Sequence, residues 1–295
     1  MKVISIFGGT GFIGTELINQ LVKIPVEIRV FSRKKNKANH LKNLPRVKII
    51  EFSSKNILSD NIKGSDILIN LVGILHEYRG VKFSTVHEDF VTKLINSALK
   101  NNVKRIIHLS ALGTSKKSLS KYLNSKYKGE LIIRDKFKKY DWTILRPSIV
   151  FGTNDKFINL FRTLVKFLPV IFLVSPKSEF QPIYVKDLVD IIIKSLDDKR
   201  TFKKTFNLGG PKKFTFYEIV KLIVKCDKKY NITIGLNKTM SYLFVRFLML
   251  SPVKIITTDN LKSMETSNTV RVNDAYSFKR SLTELITYLN NHKKK

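Results

Sequence analysis

The chain has 295 residues, 43% hydrophobic and 26% charged, which fits a folded globular protein and excludes a disordered one, unable to bury enough apolar surface to offset its ordering entropy. A single cysteine, Cys226, excludes a disulfide scaffold and a cysteine-based structural zinc site. The 54 basic residues against 23 acidic leave a formal charge of +31, and three partners suit such a field: nucleic acid, an anionic membrane surface or an acidic protein.

Lysine far outnumbers arginine, and the lysines are spread along the whole chain. The coding bias of an AT-rich genome gives the same composition, so charge alone selects no partner. No RNP-type or helix-turn-helix signature is present, and nucleic acid is not expected. No apolar run reaches the ~18 residues that cross a bilayer as a helix. Residue 3 already lies in a strand-like run, which leaves no room for a signal or transit peptide. The expected location is a reducing cytoplasm.

In chain order, β-branched runs alternate with helical spacing. Val3–Phe7 reads as a strand, Phe12–Lys23 as a helix and Val26–Phe31 as a strand, followed by a basic segment. Val47–Phe52 and Asp66–Val72 read as strands; the second lacks alternation, as expected when both faces are buried. Lys82–Asn101 reads as a long helix, Arg105–Leu109 as a strand, Ser120–Lys138 as a helix and Trp142–Leu145 as a strand. Such alternation predicts a parallel sheet with right-handed crossovers. After Arg146-Pro147 helices dominate, with short strands near Thr205–Leu208 and Ile232–Ile234. The expected fold is α/β, a Rossmann-type doubly wound parallel sheet over residues 1–150 with a smaller, mainly helical lobe over 151–295.

Gly8, Gly9, Thr10, Gly11, Phe12, Ile13 and Gly14 form a glycine loop between the first strand and the first helix. Both Gly9-x-Gly11-x-x-Gly14 and Gly8-x-x-Gly11-x-x-Gly14 are satisfied. Glycines permit the tight turn and a close approach to a pyrophosphate, which the helix N-terminus then meets with free N–H groups. An NAD site usually ends its second strand in a carboxylate that binds the ribose 2′-hydroxyl. Here that strand ends in Phe31-Ser32-Arg33-Lys34, and arginine grips phosphate well. NADPH is therefore expected ahead of NADH.

Tyr122-x-x-x-Lys126, a dozen residues past Ser110, places two side chains one helical turn apart. With the glycine loop, it makes the chain resemble the extended and atypical branch of the short-chain dehydrogenase/reductase superfamily. That resemblance implies Tyr122 as general acid/base, Lys126 as its activator and ribose holder, and Ser110 as the carbonyl-polarising hydroxyl. It also implies a cofactor wall from Leu71, Val72 and Gly73, with Pro147 and Ile149 passing the nicotinamide. Asn70 through Leu75, Val86-His87, Leu109 through Gly113, Leu145 through Asp155, Phe180 through Leu188, Phe206 through Pro211, Thr257 through Leu261 and Thr266 through Asn268 are similar to a narrower subgroup. It contains the nucleotide-binding accessory subunit of respiratory complex I and its bacterial relatives. The subgroup implies a stably held NADPH, complex I subunits as partners and a peripheral position on complex I near the quinone-access region; the expected location is then the cytoplasmic face of a bacterial inner membrane.

The sequence departs from a working reductase at three places. The Ser/Thr cluster after the fifth strand is reduced to Ser110-Ala111-Leu112. The family's ordering Asn on the fourth helix aligns with His87, and Ser53 stands where an Asp commonly contacts adenine. Two alternatives to an accessory role stay open: an active oxidoreductase or epimerase on a sugar nucleotide or a ubiquinone-biosynthesis intermediate, and an NADPH-sensing regulator. The five histidines lack metal-ligand spacing, and no metal is expected. Leu164–Val174 and Tyr242–Ile256 are unusually apolar for so basic a lobe. The second stretch, which Pro252 should interrupt, suits a buried helix or one lying in a membrane interface.

Overall fold

Contacts in the computed structural model, which describes residues 1–52, 61–250 and 256–292, divide the chain into two compact units. One comprises Met1–Ala111, Ser125–Arg146 and Leu188–Phe206; the other comprises Leu112–Asn124, Pro147–Asp187 and Asn207–Lys295.

The first unit is built on a seven-stranded sheet. Its strands are Lys2–Phe7 (β1), Val26–Ser32 (β2), Val47–Glu51 (β3), Ile67–Asn70 (β4), Arg105–Leu109 (β5), Asp141–Pro147 (β6) and Lys204–Leu208 (β7). Their spatial order is β7-β6-β5-β4-β1-β2-β3, and the pairs from β3 through β6 run parallel. The order reverses between β1 and β4, the switch point at which doubly wound sheets bind ligands. All four β4 residues and all five β5 residues are buried, as the unalternating runs predict for a sheet covered on both faces.

The helices follow from the same economy of burial. Phe12–Leu21 (α1) buries Gly14, Leu17, Ile18 and Leu21 on one stripe. Phe90–Lys100 (α2) buries Val91, Leu94, Ile95 and Ala98. It is entered through a widened π-helical turn over Thr85–Asp89, whose buried residue is His87. Lys121–Lys136 (α3) is the longest of the described helices. Three aromatic rings, Phe7, Phe31 and Phe90, pack at the carboxyl ends of β1 and β2 and the start of α2, the first two stacked at 4.4 Å.

One buried cation ties the later chain to this sheet. The Arg105 guanidinium, 6% exposed, donates to Ser195 O at 2.5 Å, Thr143 Oγ1 at 2.8 Å and Thr201 Oγ1 at 3.2 Å. It also lies 4.4 Å from the centroid of Phe202. Burial pulls its pKa down to about 10, opposed by Asp141 and Asp197, so it remains a cation at neutral pH.

The second unit packs the helices Phe157–Phe167 and Phe216–Cys226 around Phe151, Ile158, Val165, Ile219, Ile223 and Leu289. A capping box between Thr215 and Glu218 starts the second of these. The strands Val170–Leu173 and Ile232–Gly235 pair in parallel, and the helix Lys238–Leu248 follows directly. Asp187, 1% exposed, accepts from Lys279 Nζ at 2.7 Å and from the Thr283 amide at 2.6 Å.

Arg105→Met keeps the aliphatic stem and strands the polar groups that the guanidinium satisfied. The expected loss is about 2–4 kcal/mol of unfolding free energy, read from urea melts. A midpoint equal to that of the wild type would mean that the clamp contributes nothing.

Candidate nucleotide site

The carboxyl end of β1 turns into α1 through a loop with no spare room. Gly8 has φ of +82°, and a Cβ there would meet the Leu71 carbonyl carbon at 2.9 Å and Val72 N at 3.0 Å. A Cβ on Gly14 would lie 2.4 Å from Gly8 O. The turn closes through Gly11 N donating to Gly8 O at 3.0 Å. Gly11 is the N-cap of α1, and no side chain caps that helix. The first intrahelical bond runs from Thr15 N to Gly11 O at 2.8 Å, so the amides of Phe12, Ile13 and Gly14 precede the helical ladder. A backbone cradle, an uncapped helix start and a positive dipole end fit the pyrophosphate of a dinucleotide.

At the end of β2, Ser32 is buried and its Oγ donates to Lys34 O at 2.8 Å, while Arg33 and Lys34 are exposed. The sheet places Glu51 of β3 in register with Ser32. Pattern reading along β2 alone missed this carboxylate, because it arrives from a neighbouring strand. The reading of Ser53 falls outside the described residues.

Beyond the loop, the ends of β4 and β5 carry a polar interior. Asn70 Oδ1 accepts from Val72 N at 3.1 Å, which leaves its Nδ2 to donate to His108 Nδ1 at 3.0 Å. His108 then carries its proton on Nε2, a buried atom with no hydrogen-bond partner. Ser110 Oγ is likewise buried without a partner. Lys126 Nζ, on α3, donates to Leu109 O at 3.0 Å, and a Cβ on Gly73 would meet that ammonium at 3.1 Å. Gly73, Lys126 and Ser110 are therefore brought to one place.

His87 sits in the widened turn before α2. The Ile74 amide can only donate, so His87 Nε2 accepts it at 3.2 Å. The ring proton is then on Nδ1 and goes to Ser125 Oγ at 2.8 Å. Burial, then Lys126 and His108, push His87 down to about 2. Burial and then Lys126 hold His108 well below the usual imidazole value. Burial pulls Lys126 down to about 8 against the opposing pull of Glu130. Glu130 is fully buried, held by Arg146 Nε at 2.7 Å and Arg134 Nη2 at 3.2 Å.

Tyr122, Pro147 and Ile149 fall in the second unit. Asp259, whose segment the sequence marked only by resemblance, accepts from Ser120 Oγ at 2.9 Å, Lys121 N at 2.7 Å and Tyr122 N at 3.0 Å. A carboxylate borrowed from far along the chain thus caps α3 one turn before Lys126. Burial pushes the Tyr122 phenol up to about 12. Asn268 Oδ1 accepts from Ser148 Oγ at 2.6 Å and from the Ile149 amide at 3.2 Å, fixing the segment after β6. Among the described residues no cluster of three metal-ligating side chains occurs.

The chain is similar to known proteins. The model of a family described as NAD(P)H-binding matches residues 8–166. The chain is 32% identical over 234 residues to NADH dehydrogenase (ubiquinone) 1 alpha subcomplex subunit 9, mitochondrial, of Arabidopsis thaliana, covering 75% of this chain and 57% of that protein. It is 30% identical over 268 residues to the protein of the same name from Rattus norvegicus, covering 87% and 69%. The Mus musculus relative is covered over 60% of its length, so the chain spans little more than half of several curated relatives. An NADPH-dependent quinone oxidoreductase of Escherichia coli, solved with NADPH, superposes with a TM-score of 0.78 at 15% identity over 98% of this chain and 99% of that one. At that identity the likeness shows the fold.

The neutral His87 gives a pH signature. Its unfolded-state value is near 6.5 and its folded value about 2, so below pH ~6.5 the unfolded chain takes up a proton that the folded chain refuses. Stability contributed by this site is full above ~6.5 and falls as pH drops toward the folded value. His87→Gln should flatten the loss of urea stability between about pH 6.5 and 4.5, by roughly 1–3 kcal/mol across that window. An acid limb parallel to that of the wild type would contradict this assignment.

Proposed function

The chain belongs to the NAD(P)H-binding family, in the branch of the complex I subunit 9 relatives, and on that premise we propose that it is an accessory or assembly subunit of respiratory complex I with NADPH as a mainly structural ligand. The chain would sit peripherally on the cytoplasmic face of a bacterial inner membrane. The observation that carries the structural role is the state of the helix α3 pair. The Tyr122 phenol is pushed up to about 12 and Lys126 down to about 8. A tyrosine that exchanges protons near neutral pH is served by a pKa brought down, not up. Lys126 meanwhile donates to Leu109 O, and the Ser/Thr cluster after the fifth strand is cut short by Leu112, a buried apolar residue. Such a pair favours gripping a ligand over turning it over.

NADPH, when bound, supplies a transferable hydride at its nicotinamide. The residues that would hold it are the Gly8–Gly14 loop for the pyrophosphate, Arg33 and Lys34 for the 2′-phosphate, and Leu71, Val72 and Gly73 along the wall. Lys126 would hold the ribose, and the partnerless His108 Nε2 and Ser110 Oγ offer a donor and a hydroxyl beside it. The resemblance adds Tyr122, Pro147 and Ile149. Ser32 hydrogen-bonds within its own turn and would shape that turn without touching the ligand. Support for the partner comes from the relatives, whose names place them in NADH dehydrogenase.

Two measurements test the proposal. NADPH at roughly a hundredfold excess over its dissociation constant should add about 2.7 kcal/mol of stability, NADH should add less, and Arg33→Ala with Lys34→Ala should remove the preference. In mild-detergent native gels of source membranes the chain should run in the complex I band, and Tyr122→Phe should run there too. Migration only as a small free species, together with NADPH consumption abolished by Tyr122→Phe, would replace the accessory role with an oxidoreductase.

A further inference from the structure

The second unit carries its apolar residues on the wrong side of two neighbouring elements. In the helix Lys238–Leu248 the buried positions are Ser241 and Val245. Met240, Leu243 and Phe247 are instead exposed, at 53%, 63% and 69%, and Leu250 beyond the helix at 82%. Spacings of three, four and three residues put these four on one stripe. The strand pair repeats the inversion. Phe172 and its register partner Ile234 are exposed, as is Ile232, while Ile171 and Leu173 fill the core on the opposite face. A strand with one solvated face normally turns polar residues outward. The two faces are joined, because Phe172 and Phe244 rings lie 5.9 Å apart. Phe167 and Leu168, also exposed, lead into this strand pair.

The border of this surface is cationic. Lys166 and Lys229 share a cleft with Phe167, Lys238 and Arg246 lie on the helix that carries the stripe, and all four are exposed. A cleft of about 270 Å³ opens beside Phe167, lined by Arg162, Lys166, Asp227 and Lys229. Asp227 is neutralised by Arg162, whose Nη2 donates to Oδ1 at 2.6 Å. Glu265 pairs with Lys238 at 3.1 Å. The cleft keeps Lys166 and Lys229 as surplus cations. A second copy of a chain with charge +31 would bring like charge to like charge. Apolar side chains inside a ring of lysine and arginine match the interface of an anionic bilayer, with acyl chains under the stripe and headgroup phosphate over the rim.

We infer that this face of the second unit docks on an anionic lipid surface: Phe172, Ile232, Ile234, Leu243, Phe247 and Leu250 enter the headgroup boundary, and the Lys166/Lys229 cleft takes a lipid phosphate. The inference rests on the peripheral location proposed above and supplies its contact. No helix among the described residues is long and apolar enough to cross the membrane, so the attachment is to one leaflet and reversible.

The test is flotation of the purified full chain with vesicles. Phosphatidylcholine vesicles containing phosphatidylglycerol should carry the chain upward at low salt, and pure phosphatidylcholine vesicles should not. Leu243→Asn with Phe247→Asn should weaken the partition roughly tenfold or more. Lys166→Gln and Lys229→Gln should each weaken it roughly fivefold. All positions changed are exposed, and an unchanged melting temperature with an unchanged NADPH shift shows that the variants are folded. Absence of wild-type flotation, equal flotation on both vesicles, or variants that float like the wild type would each overturn the lipid face. Loss of flotation with the NADPH shift and complex I co-migration intact sinks this inference alone. Flotation without either of those sinks the subunit role alone.

Discussion

A lysine ammonium buried at the end of β5 sets the terms for everything near it. Lys126 donates to a backbone carbonyl, and two imidazoles lie within its field. Burial first, and then this charge, keep both rings neutral, and a neutral ring must choose a tautomer. His87 resolves the choice by accepting from Ile74 and donating to Ser125; His108 resolves it by accepting from Asn70. These choices fix the backbone at residues 70–74, the stretch that also limits Gly8. One buried charge thus propagates through hydrogen bonds into the shape of the nucleotide loop. The fully buried Glu130, saturated by two arginines, is the counterweight one turn along α3.

Much of this was legible in the residues, for physical reasons. Unalternating β-branched runs betray strands covered on both faces, and β4 and β5 are buried throughout. The glycine loop announces itself because no other residue fits at Gly8 and Gly14. What could not be read depends on partners remote in sequence. Arg105 looks like a surface base until residues 195–202 fold over it. Asp259 looks like the start of its own helix, yet it caps another. Glu51 reaches the end of β2 only through sheet register. The helix Lys238–Leu248 shows ordinary periodicity, but which side of an amphipathic pattern faces inward is decided by tertiary packing, and here Ser241 and Val245 won.

The two units divide the chemistry as they divide the chain. The phosphate-loving backbone, the cationic end of β2 and the partnerless His108 Nε2 and Ser110 Oγ lie in the first. The second gathers aromatic packing inside and apolar residues outside. An enzyme needs a pocket of tuned acids and bases; an accessory subunit needs a stable body and a face to attach. Burial has moved the pKa values of Tyr122 and Lys126 apart, the phenol up and the ammonium down. That serves a ligand held for its contacts better than one consumed in a cycle.

The Asp259 cap also orders events in time. It meets Tyr122 N across a separation of 137 residues. During synthesis α3 leaves the ribosome with its Lys121 and Tyr122 amides lacking this acceptor, and they stay so until that late carboxylate emerges. Closing so long a loop costs entropy before the contact returns anything. The helix that carries Lys126 is therefore among the last parts of the nascent chain to become secure, and a polypeptide cut short before residue 259 would leave the ribosome with this helix start still lacking its cap.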